Sequence, residues 1–154
     1  MSTIPATSKA FSSALLLLLG IASPPLLSGA DLIVAVASGG KLQGDVGCAL
    51  YRSADGFPMN DAKAAAKMRV KPATDNQTAE CRFAGVSPGP FAVAVSVDVN
   101  GNQKPDKNFL GIPTEPWGVS NNIRPGMRAP RFDEAAGTMP ASGEDLRIAI
   151  KVQK

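Results

Sequence analysis

The run Phe91-Ala92-Val93-Ala94-Val95-Ser96-Val97-Asp98 decides the fold, because its bulky apolar residues recur at every second position with small or polar residues between them. A period of two places Phe91, Val93, Val95 and Val97 on one face of a strand and Ala94 and Ser96 on the other. Leu32 to Ala37, with Val34 and Val36, and Asp145 to Val152, with Ile148 and Ile150, repeat the pattern. Val46 to Arg52 and Thr78 to Gly85 supply two more strands. Gly39-Gly40 and Ser87-Pro88-Gly89-Pro90 mark turns between them. Asn60 caps a predicted short helix over Asp61 to Met68, which is rich in Ala and Lys, and Phe132 to Met139 is read as a further strand. These elements predict an all-β, antiparallel sandwich of the prealbumin or immunoglobulin-like kind, with one short surface helix and a long irregular loop from Gly101 to Ala129. Such a fold hosts many functions and settles none.

The N-terminus carries Lys9, an apolar run from Ala14 to Ala22, and the small-residue triplet Ser28, Gly29, Ala30. That order reads as a signal peptide over residues 1–30, cut after Ala30. The apolar run falls short of the roughly 20 residues that span a bilayer, so no transmembrane segment is expected in the mature chain, residues 31–154, which forms one domain. The expected location is periplasmic or extracellular. In that compartment thiols oxidise, and Cys48 and Cys81, each in a run with apolar neighbours, are expected to form a disulfide between two strands.

The chain has no histidine, which excludes Ser-His-Asp and Cys-His catalysis and His-based zinc sites. No phosphate loop is present, and Asp98, Asp106, Glu115, Asp133 and Glu134 contain no spacing that singles out a catalytic pair. The net charge of +3 is spread among acidic residues, which argues against a nucleic-acid partner. Arg124, Arg128 and Arg131 recur in a Pro-rich stretch and read as a solvated loop or an anion patch.

One stretch does carry chemistry. Asp98, Asn100, Asn102 and Asp106 fall at positions 1, 3, 5 and 9 of a calcium-loop pattern, with the Lys104 carbonyl at position 7. Gln103 replaces the usual glycine, and Phe109 stands where a bidentate Glu belongs. A weak calcium site, on the order of 0.1–1 mM, is one reading. The other is a turn built on Asn100-Gly101, with Asn side chains bonded to the local backbone. Glu115, Trp117 and Asn121 are the ligand-facing candidates of the loop. Trp117 would stack on a sugar or peptide, or pack on the sandwich, and Asn121 and Asn122 would reach a ligand or fix the loop.

Asp98-Val-Asn-Gly-Asn102, Asp106 and the stretch from Asn108 to Asn122, which reads NFLGIPTEPWGVSNN, resemble a family of small secreted bacterial proteins catalogued as a domain of unknown function. Its loop reads D-x-N-G-N-G-x-x-D followed by N-x-x-G-I-P-x-E-x-x-G-x-S-N-N. The resemblance extends through Cys48 to Pro58 and Phe83 to Val95. The chain departs from it at Gln103 and Pro105, where the family has Gly and Leu, and at Pro116, where it has Gly. The resemblance implies an exported β-sandwich related to prealbumin-like or carboxypeptidase-regulatory modules, with no established activity.

The expectation is therefore a non-enzymatic exported binding module, with calcium as its cofactor and an envelope protein or glycan as its partner. The alternatives are a structural envelope protein without metal and a carboxylate-dependent hydrolase acting on envelope polymers.

Overall fold

The computed structural model describes residues 29–154, so the predicted signal peptide lies outside the described residues except for Gly29 and Ala30. The alternating runs become β1 (Ala30–Ser38), β2 (Asp45–Tyr51), β4 (Thr78–Val86), β5 (Gly89–Asp98) and β8 (Leu146–Val152). Three strands join them: β3 (Ala66–Val70), β6 (Trp117–Val119) and β7 (Gly137–Met139). One sheet has the order β4-β1-β8; the other has β3-β2-β5-β6, with β7 on the first residues of β5. The pairing is antiparallel except between β1 and β8, which lie parallel and so correct a purely antiparallel reading.

The inward faces form one core. Leu32, Val34 and Val36 of β1, Phe83 of β4 and Ile150 and Val152 of β8 meet Val46 and Leu50 of β2 and Phe91, Val93, Val95 and Val97 of β5. Cys48 of β2 and Cys81 of β4 cross this core as a disulfide, with an S–S distance of 2.11 Å. At one corner β6 touches β8 directly, where Trp117 and Gln153 exchange backbone hydrogen bonds of 3.1 and 3.2 Å. Gly118 permits that approach, since a Cβ there would lie 2.5 Å from the Lys151 carbonyl oxygen.

Two local expectations are corrected. The Asn60 side chain does accept the Ala62 amide, but the helix stops after one 3-10 turn, Asp61–Lys63. The rest of the predicted helix enters β3, because Met68 and Val70 alternate with Lys67 and Arg69 and pair with Cys48 and Val46 at the core's edge. The strand expected over Phe132 to Met139 begins instead as the short helix α1 (Phe132–Ala135) and only then becomes β7. Burial of Ala135 and packing of Phe132 near Phe57, with ring centroids 5.9 Å apart, favour that turn.

Candidate functional site

The outer face of the β3-β2-β5-β6 sheet is graded in side-chain size. Registration places Arg69, Gly47, Ser96 and Trp117 in one cross-strand row and Lys67, Ala49, Ala94 and Val119 in the next. Small residues on the two central strands and large ones on the flanking strands make a trough. Pro58, Met59, Pro105 and Pro113 from the neighbouring loops raise its walls, leaving a cavity of about 320 Å3. Its polar lining includes Asp61, Lys67, Arg69, Gln103, Asp106 and Glu115. The adjoining part of the same face is filled by Ala92, Val119 and Ala135, packed with Phe57 and Phe132. Tyr51 stands at the boundary, edge-on to Phe57 with ring centroids 5.3 Å apart. Its hydroxyl donates to the Pro58 carbonyl at 3.4 Å, and burial, aided by the charge of Asp61, pushes the phenol up to about 12.

The loop leaving β5 forms one wall and is closed by its own hydrogen bonds. Asp98 is buried: its Oδ1 accepts the Gly101 amide at 2.8 Å, while Oδ2 accepts the Gln103 amide at 2.8 Å and Nη1 of Arg69 at 2.9 Å. Asn100 Oδ1 accepts the Asn102 amide at 3.0 Å, and Asn102 Oδ1 accepts the Lys104 amide at 2.8 Å, two successive side-chain turns. The two Nδ2 groups converge on the Asp106 carboxylate at 2.5 and 2.8 Å. Glu115, also buried, braces the loop from its return limb: Oε1 accepts the Val99 amide at 2.7 Å and Oε2 accepts the Asp106 amide at 3.4 Å.

The predicted loop residues therefore separate into two places. Asp106, Glu115 and Trp117 reach the trough, whereas Asn121 donates Nδ2 to the Glu134 and Ala136 carbonyls at 3.2 and 3.0 Å. Asn122 likewise ties the chain to β8, accepting the Lys151 amide at 2.7 Å. Trp117 carries the Arg124 guanidinium 4.5 Å from its ring centroid, a cation–π contact. Arg128 and Arg131 turn towards Glu134, with Arg128 Nη1 2.8 Å from Oε2 and Arg131 donating its amide to the same oxygen at 2.9 Å. The Arg128 guanidinium first, and then the Arg131 amide, hold the Glu134 carboxyl at about 2, so this basic stretch is internally paired at two of its three arginines.

Among the described residues no group of three or more His, Cys, Asp or Glu side chains is placed to hold a metal. A cation in the loop would depend on amide and carbonyl oxygens beside Asp98 and Asp106. Arg69, absent from the sequence-based site, neutralises Asp98; its alternation with Met68 and Val70 was the available signal. The floor residues Gly47, Ala49, Ala94 and Ser96 were also missed, although small residues at the outward positions of two strands mark a face left open.

A family model described as an uncharacterized protein conserved in bacteria (DUF2141) matches residues 34–146. No curated protein and no solved structure matches the chain.

Proposed function

The chain belongs to this family of uncharacterized conserved bacterial proteins, and from that premise we propose that it is an exported, non-catalytic binding module whose ligand lies in the trough. The single observation that carries the reading is the graded face itself, a cavity of about 320 Å3 with an apolar floor and convergent polar groups on its rim. Sites for small molecules begin at about this size and have this composition. Trp117 offers aromatic surface, and Lys67, Asp106 and Gln103 offer hydrogen bonds, a set suited to the end of an envelope glycan or a short peptide. The absence of catalysis is supported by the engagement of the two buried carboxylates: Asp98 and Glu115 are both held by backbone amides.

Trp117 is the sole tryptophan, so its emission reports the trough directly. Titration with envelope glycan fragments and peptides is expected to give a saturable change, and Ala94→Leu, which fills the floor, is expected to remove it. Unchanged emission and melting across the whole panel would leave the structural envelope protein as the better account. Turnover of a polymer in the same panel, lost on substitution of a single Asp or Glu, would favour the hydrolase.

Calcium is the second reading, supported by the gathering of the Asn100, Asn102 and Asp106 side chains at one place in the loop, where a cation would displace the two Nδ2 donors from the Asp106 carboxylate. Amide N–H groups there supply partial positive charge to a carboxylate. A hard cation would supply it more strongly, held by Asp98, Asp106, the amide oxygens of Asn100 and Asn102 and the Lys104 carbonyl. Because Arg69 already neutralises Asp98, affinity is expected to lie on the order of 0.1–1 mM. Calcium should raise the melting temperature, and Asp106→Ala should abolish the increment while leaving the Arg69–Asp98 pair in place. Equal melting in excess chelator and in millimolar calcium would remove the metal from the proposal.

A further inference from the structure

Beyond the trough, the same long loop carries a tight turn that points apolar side chains into solvent. Lys107 and Pro113 form an isolated bridge, and the Asn108 amide donates to the Ile112 carbonyl at 2.9 Å. Within that frame the Gly111 amide donates to the Asn108 carbonyl at 2.9 Å, with Gly111 at φ +77°, where glycine is favoured. The Asn108 side chain locks the tip from inside: its Oδ1 accepts the amides of Leu110 at 2.9 Å and Ile112 at 3.0 Å. The turn thus pairs the amides of Asn108, Leu110, Gly111 and Ile112 within itself, while Phe109 is 95% exposed, Leu110 67% and Ile112 54%.

Three large apolar side chains on a preformed turn are unfavourable in water, and their arrangement constrains what can cover them. Together they offer a few hundred Å2, well short of the roughly 800 Å2 per side of a standard protein–protein interface. A near-fully exposed tip also needs a partner into which it can be pushed. The hydrocarbon edge of a lipid layer meets both conditions, since it accepts a small apolar wedge without matching its shape. Lys104 and Lys107 are exposed on the limb that leads into the tip, the latter also reaching the Met59 carbonyl at 3.3 Å. Asp106, the acidic residue between them, is already bonded by Asn100 and Asn102.

We propose that the Asn108–Ile112 turn docks the protein on an anionic lipid surface, with Phe109, Leu110 and Ile112 entering the interface and Lys104 and Lys107 facing the headgroups. Internal pairing of the Asn108, Leu110, Gly111 and Ile112 amides lowers the cost of shallow entry at the headgroup boundary, because an amide carried there without a partner is disfavoured. Long lysine side chains can keep their ammonium groups at headgroup level while the tip goes deeper. The interaction is reversible and weakens with salt, as expected of a small apolar area helped by charge. It requires neither calcium nor a ligand in the trough.

The test uses Phe109→Trp in the full chain, with the wild-type protein and its single Trp117 as the blank. Vesicles containing phosphatidylglycerol are expected to shift the introduced indole's emission to the blue, and brominated acyl chains are expected to quench it. Pure phosphatidylcholine vesicles should do neither. In the same background as wild type, Phe109→Ser with Leu110→Ser should lower vesicle co-sedimentation about tenfold. No shift on anionic vesicles would overturn the proposal, and this readout is local to the tip whatever the N-terminal segment does. A shift that develops without lipid as protein concentration rises, with dimers that the double variant abolishes, would also overturn it and assign the turn to contact between copies.

Discussion

Asp98 ends β5 on the outward face, and its carboxylate is used three times, by Arg69 and by the amides of Gly101 and Gln103. Its side chain is 5% exposed against 33% for Arg69, so the pair is shielded on one side and partly solvated on the other. Asp98→Ala strands two loop amides and a half-buried guanidinium. It is expected to cost about 2–4 kcal/mol in urea unfolding, with Asp98→Asn costing less because amide oxygen can still cap the loop. The acidic character of Asp98 was legible from the D-x-N-x-N spacing, but its partner was not. Arg69 lies on another strand, and only the β2–β3 and β2–β5 registers, with Gly47 between them, bring it alongside. Glu134 gives a separate prediction in pH. Its carboxyl is held at about 2 instead of the ordinary 4.5, by Arg128 foremost, so the folded chain binds that proton more weakly than the unfolded one. The stabilisation is therefore complete above pH 4.5 and is lost as pH falls through that value towards 2. A carboxyl-detected NMR titration should place the midpoint near 2, and Arg128→Met should move it back towards 4.5.

Among the elements, those with a strict period of two and a buried face were legible, and those shaped by a neighbour were not. β1, β2, β4, β5 and β8 start or end within a few residues of the runs read from alternation. β3 was hidden because Ala62 to Lys67 has the composition of a helix, and composition is a weaker guide than the pairing that Met68 and Val70 find along β2. β6 is three residues long, too short to show any period, and depends on tertiary partners instead. One of these follows β6 directly: buried Ser120 accepts the Val93 amide at 3.0 Å and donates to the Ala135 carbonyl at 2.6 Å, linking β5 to α1. Ser120→Ala leaves both groups buried without that partner and should cost about 1–3 kcal/mol. Hydrogen exchange should show the Val93 amide losing protection while Val95 and Val97 keep theirs. Unchanged Val93 exchange would mean that the hydroxyl contributes nothing to the junction.

At the scale of the whole molecule, the sandwich was legible as a class, while the trough was not, because it belongs to the register between strands and not to any one of them. Gly47 and Ala49 are informative only beside Ser96 and Ala94. The disulfide lies between these two levels: both cysteines sat on apolar faces in the sequence, but only the fold shows that they tie one sheet to the other. With a sequence separation of 33, closing that loop restricts the unfolded chain and is expected to stabilise by about 3–4 kcal/mol. For a domain of this length that corresponds to a fall of roughly 10–15 °C in melting temperature on loss of the bond. Two contributions must be separated, because Cys48→Ala with Cys81→Ala removes two buried sulfurs as well as the cross-link. Reduced wild-type protein keeps the sulfurs and loses only the bond, so the oxidised-to-reduced difference measures the restriction, and the further drop to the double variant measures packing. Both reduced forms should remain folded, since the core on either side of the bridge is continuous from Leu32 to Val152 and β6 still holds β8 at the corner. Superimposable melting of the oxidised and reduced wild-type protein would show that the tie between the sheets rests on the apolar core and the Trp117–Gln153 corner alone.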